Sequence, residues 1–150
     1  LGWGIVQETG GKFKVLGCGC LTTEKRDSPE RRLAILFAQL KKLIRNYQPE
    51  VLVVEDLFFA ANAKTALQVG QAKGVVLLAA ALAKLPVASY TPLKIKLSLV
   101  GYGRAEKAQV QQMVTSLLKI KEKIKMDDTA DALAVALTHC FLYKFGEKVK

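Results

Sequence analysis

Residues 49–74, PEVLVVEDLFFAANAKTALQVGQAKG, hold the junction on which the rest of the chain turns. Val51, Leu52, Val53 and Val54 form an apolar run of strand length, too short for a helix and rich in β-branched residues, which predicts a strand buried on both faces. Glu55 ends that strand. In an open α/β sheet, ligands collect in the crevice outside the carboxyl ends of the strands, and Glu55 points there with Asp56 beside it. Leu57, Phe58 and Phe59 follow at once. A carboxylate in so apolar a setting is costly to ionise unless a cation or hydrogen-bond donors meet it. The plain alternative is a solvated strand end, and a metal ligand needs partners from elsewhere in the chain.

Composition sets the bounds. With 150 residues, 51% of them hydrophobic, the chain can bury one sizeable core, and a single domain is expected. The longest apolar run, Val75 to Ala83, is too short to span a bilayer, and the first residues lack the pattern of a signal peptide. Three cysteines without framework spacing point to a reducing, cytoplasmic setting. Against 13 Asp+Glu stand 23 Lys+Arg, a formal charge of +10, which favours a polyanionic partner, nucleic acid before membrane.

In chain order, Leu1 to Val6 reads as a strand, Gly10-Gly11 as a turn and Phe13 to Thr22 as the returning arm of a hairpin. Cys18 and Cys20 read as small core residues, since no second cysteine pair completes a metal site. Ser28-Pro29 predicts a helix start with a hydroxyl N-cap, and Leu33, Leu36, Phe37, Leu40, Leu43, Ile44 and Tyr47 share one helical face. A second helix, about Ala63 to Lys84, carries Gly70 and Gly74 one turn apart, where another backbone can approach closely. Its second half is apolar all round, which predicts cover by its own sheet and by another subunit. Val87 to Tyr90 reads as a strand, Thr91-Pro92 starts a helix with Lys94 and Lys96, and Ala105 to Lys119 forms another. His139, on the last helix from Asp128 to about Tyr143, reads as a packed or hydrogen-bonded histidine.

That last helix supplies partners for Glu55. Asp128 and Asp131 stand at i and i+3 on one face, at the helix N-terminus where negative charge is favoured. Capping by Asp127 or Asp128 accounts for one of these acids, but it does not account for Asp131 at the margin of the apolar run Ala132 to Leu137. Three acids in a net-positive protein suit in-line phosphodiester displacement, in which paired divalent ions clamp the attacking and leaving oxygens. Mg²⁺ prefers such oxygen ligands.

Taken in order, Glu55-Asp56-Leu57-Phe58, Asn62, Ala66-Leu67, Gly70-Gln71-Ala72-Lys73-Gly74, Ala105-Glu106-Lys107 with Gln109-Val110, Asp128-Thr129-Ala130-Asp131-Ala132-Leu133-Ala134 and Thr138-His139-Cys140 resemble the RuvC-type Holliday junction resolvases of bacteria, over nearly the whole chain. The resemblance implies a ribonuclease H-like α/β domain, a mixed five-stranded sheet with helices on both faces. It implies a homodimer that makes paired, Mg²⁺-dependent nicks in a four-way DNA junction during recombination and repair, with two ions per active site and a branch-migration helicase as partner. By position, Glu55, Asp128 and Asp131 would be catalytic metal ligands. Phe58 would stack on bases at the crossover. Lys96 and Lys107 would bind DNA near the scissile phosphate, and Lys107 would also serve catalysis.

The chain departs from that pattern at its start. The family opens on a strand ending Gly-x-Asp-Pro-Gly, whose aspartate is a fourth carboxylate, whereas Leu1 to Val6 matches the strand after it. The expectation is therefore a single domain over 1–150, N-terminally incomplete, whose first central strand would lie between the hairpin and the Val51 to Glu55 strand. The competing reading is an inactive or differently targeted nucleic-acid-binding protein of the same fold.

Overall fold

A computed structural model describes residues 1–56, 63–121, 124 and 126–144. The chain forms two compact units, one of Leu1–Cys20, Val53–Asp56 and Ala88–Lys150, the other of Leu21–Leu52 and Leu57–Val87.

The first unit opens on the expected hairpin, β1 (Gly2–Thr9) against β2 (Lys12–Cys20), antiparallel with Thr9 opposite Lys12. Gly10 and Gly11 both take positive φ, 58° and 83°, as a two-residue turn matched to the strand twist demands. The Glu8 carboxylate accepts from Gly11 N–H at 2.6 Å. Between Ile5 and Val6 the register slips by a residue, since Ile5 faces Gly17 and Val6 faces Val15, leaving Leu16 over in β2. Cys18 is exposed, contrary to its reading as a core residue, because the alternation of β2 turns it outward.

β3 (Leu52–Glu55) ends on Glu55 as expected but is half-buried along its length rather than covered on both faces. It pairs with β4 (Val87–Tyr90). Leu52 N–H donates to Pro86 O at 2.9 Å and Asp56 N–H to Tyr90 O at 2.8 Å, rungs that advance together, so the strands are parallel. Among the described residues the four strands form two separate pairs, β1 with β2 and β3 with β4.

Three helices complete this unit. They are α3 (Pro92–Val100), α4 (Lys107–Leu117) and α5 (Asp127–Lys144). Thr91 caps α3, its hydroxyl accepting from Lys94 N–H at 3.2 Å, and Gly101 closes it at φ 74°. α4 begins two residues later than the sequence predicts because Gln109 accepts from Glu106 N–H at 2.8 Å and makes Glu106 the cap. Tyr90, Ile95, Leu99, Val110, Val114, Leu133 and Leu137 pack into one core, with Val6, Phe13, Val15 and Val53 against it. α5 lies close on β1. A Cβ on Gly4 would stand 2.5 Å from Leu133 Cδ2, and one on Gly2 would stand 2.0 Å from the Asp128 carbonyl oxygen.

In the second unit α1 (Pro29–Tyr47) packs on α2 (Ala63–Leu82), burying Leu36 and Leu40 of one and Val76, Ala79 and Ala80 of the other. Pro29 starts α1 as expected, but the Ser28 hydroxyl does not cap it and hydrogen-bonds the Glu30 carboxylate instead. By length and composition alone Thr65–Leu82, with mean hydropathy 1.4, would pass for a membrane span, a test that the core helix of a soluble protein also meets. Leu67, Leu77, Leu78 and Leu82 remain exposed on it. Among the described residues a Cβ on Gly74 would meet nothing within 4 Å, so the close approach predicted there is not made by them.

Candidate active site

Glu55 lies at the end of β3 because the apolar run stops there, and Asp131 lies in the second turn of α5. Both line one cleft of 250 Å³, together with Lys96 of α3 and Lys107 of α4. Pro92, Ile95, Val110, Ala134 and Val135 form its apolar walls. Four polar residues from β3, α3, α4 and α5, separated widely in sequence, therefore converge on one concave, partly apolar space.

The charges are coupled. Lys107 Nζ lies 3.2 Å from Asp131 Oδ2 and 3.4 Å from Asp127 Oδ2. Burial acts to lower the Lys107 pKa, but the hydrogen bond and charge of Asp131, with those of Asp127, prevail and hold the ammonium above the usual lysine range. Lys107 is the first residue of α4, a position where a cation opposes the helix dipole, and the two aspartates offset that cost. Burial, and after it the negative charge of Asp131, push the Glu55 carboxyl above the usual carboxylate range, against the pull of Lys107. A half-buried carboxylate held next to a second one is a site that gains from a cation. The hard oxygen donors suit a divalent ion of the magnesium type, which is commonly held by one or two carboxylates with water and phosphate oxygens completing its shell.

Asp128 stands apart from this arrangement. Its side chain is exposed, its carbonyl abuts Gly2, and it is not among the described residues that line the cleft. Asp127, which also accepts from Gln111 Nε2 at 3.1 Å, reaches Lys107 instead. The described residues hold no cluster of three or more metal-ligating side chains. Phe58, the expected stacking residue, lies outside the described residues.

Two features escaped the sequence reading. Lys107 pairs with Asp127 and Asp131, partners that only the crossing of α4 and α5 reveals. His139 is hydrogen-bonded as expected, but its partner is Tyr90, Oη to Nδ1 2.8 Å, a pairing that no local spacing could announce.

The family pattern described as crossover junction endodeoxyribonuclease RuvC matches residues 1–139. A protein of that name from Moorella thermoacetica is 49% identical over 150 residues, covering all of this chain and 90% of the relative. One from Pelotomaculum thermopropionicum is 46% identical over 149 residues, covering 99% of this chain and 91% of the relative. Among solved structures, Thermus thermophilus RuvC in complex with a Holliday junction substrate superposes with a TM-score of 0.91 at 36% identity, covering 97% of this chain and 88% of the other. A second Thermus thermophilus RuvC structure superposes with a TM-score of 0.86 at 35% identity and the same coverage.

Proposed function

The chain belongs to the crossover junction endodeoxyribonuclease RuvC family, whose members are metal-dependent nucleases, and from that premise we propose that it nicks four-way DNA junctions through the cleft between Glu55 and Asp131. The observation that carries this reading is the convergence of two carboxylates and two lysines on one cleft in a chain of net charge +10. Glu55 and Asp131 would hold Mg²⁺, with two ions per site as the resemblance implies. The match to the family motif names Asp128, one turn before Asp131, as the third carboxylate, although its exposed side chain does not line the cleft. The bound ion supplies charge stabilisation for phosphodiester hydrolysis. Lys107 orients Asp131 and neutralises charge next to the scissile phosphate, and Lys96, which lines the same cleft, holds that phosphate. Phe58 stacks on bases at the crossover.

Two symmetric cuts need two sites, and the exposed Leu67, Leu77, Leu78 and Leu82 on α2 support a two-fold homodimer through that helix. A branch-migration helicase is the further partner implied by the resemblance, and the cytoplasm is the setting. The test incubates the protein with a synthetic four-way junction, duplex and single strand, in Mg²⁺ and in EDTA. Paired nicks in the junction alone, and only with Mg²⁺, are expected. Equal cutting of duplex, or junction binding without cutting in Mg²⁺, would overturn the proposal. Asp127→Asn and Asp128→Asn, run side by side, identify the third ligand by which one abolishes cleavage.

A further inference from the structure

The spacing between Glu55 and Asp131 depends on how α5 sits against β3 and β4, and the inner face of α5 is largely apolar. Leu133, Ala134 and Leu137 pack the helix onto the core, and polar contacts add direction to that packing. Polar side-chain contacts tie α5 to strands near both of its ends. Near its start, Thr129 Oγ1 meets Cys20 Sγ of β2 at 3.4 Å. Eight residues after Asp131, His139 Nδ1 meets Tyr90 Oη of β4 at 2.8 Å.

The second tie leads directly back to Glu55. The Tyr90 carbonyl accepts the Asp56 N–H at 2.8 Å, and that N–H belongs to the peptide that follows Glu55. One backbone hydrogen bond, one buried tyrosine and one side-chain hydrogen bond thus join the strand end bearing Glu55 to the helix bearing Asp131. Both rings are held by neighbours. Tyr90 is 7% exposed with Lys94 Nζ 5.6 Å from its ring centroid, and His139 stacks on Tyr143 at 5.7 Å and 29°. Burial holds the His139 pKa below its usual range, so the neutral imidazole can accept a hydrogen bond from the Tyr90 hydroxyl.

We propose that the Tyr90–His139 hydrogen bond is the positioning contact that sets the Glu55–Asp131 spacing and thereby the affinity of the site for its divalent ion. Neither residue touches substrate; both act through the carboxylates, as partners behind metal ligands commonly do. The inference rests on the reading of the cleft as a metal site.

Tyr90→Phe removes the hydroxyl and keeps the ring. Binding of Mg²⁺ alone is read from the metal-dependent rise in melting temperature, and junction cleavage is read against Mg²⁺ concentration. The expected result is Mg²⁺ affinity about tenfold weaker, cleavage restored at high Mg²⁺, and an unchanged melting temperature in EDTA to within a few degrees. His139→Ala should match it, and His139→Asn, whose amide reaches the Nδ1 position, should recover affinity to within about twofold of the parent. A fall in melting temperature with unchanged Mg²⁺ affinity would reduce the pair to a structural contact and overturn the proposal, as would failure of His139→Asn to rescue. Absence of Mg²⁺ binding in the unmodified protein would instead overturn the reading of the cleft on which this one rests.

Discussion

Replacing Glu55 by Gln removes one of two negative charges from the cleft, and the expected result is a protein more stable than its parent without metal and less stable with it. The sign follows from the Glu55 carboxyl, which burial and Asp131 raise above its ordinary 4.5. Folding favours its protonated form, so the group's contribution is fully present below pH 4.5 and is lost as pH rises through the folded-state value. At pH 7.5 the ionised group is a liability that Gln lacks. Because the side chain is half-exposed, solvent screening limits the gain to about 0.5 kcal/mol, a rise in melting temperature of about 1–2 °C. Metal reverses the order. An ion at about 100 times its dissociation constant stabilises the parent by about 2.7 kcal/mol, or about 5–10 °C, and the variant should gain almost none of this. Thermal unfolding of parent and variant in EDTA and in Mg²⁺, at pH 7.5 and pH 4, measures these differences, and the EDTA advantage should vanish at pH 4. A variant less stable than its parent in EDTA, or raised equally by Mg²⁺, would refute the reasoning; retained cleavage would remove Glu55 from the site.

Lys107→Ala should cost less than about 1 kcal/mol of stability, since its ion pairs are largely solvent-exposed, and should lower the salt slope of junction binding by about one unit, as titration at several KCl concentrations would show. Gly4→Ala places a methyl 2.5 Å from Leu133 Cδ2 and should destabilise by about 1–3 kcal/mol in urea unfolding; an unchanged midpoint would show that α5 stands off β1. Leu78→Glu on α2 should give monomers by light scattering at micromolar concentration and weaken junction binding, whereas a dimer that survives would move the interface elsewhere.

What local pattern alone determined is clear from particular elements. The β-branched run at Val51 to Val54, the Gly10-Gly11 turn, Pro29 and the Thr91-Pro92 cap each act over a few residues, so their strand, turn and helix starts were legible in order. Glu55 and Asp131 were legible too, as acids next to apolar runs with no local use for charge. Tertiary structure decided what local chemistry cannot encode. Cys18 faces outward because of the hairpin's register, and Asp127 rather than Asp128 meets Lys107 because of the way α5 starts against Gly2. The Tyr90–His139 bond exists because the fold brings Tyr90 Oη of β4 within 2.8 Å of His139 Nδ1 of α5, 49 residues apart in sequence. Propensity and periodicity fix what each segment becomes, whereas the facing of one side chain on another depends on docking angles set by the whole core.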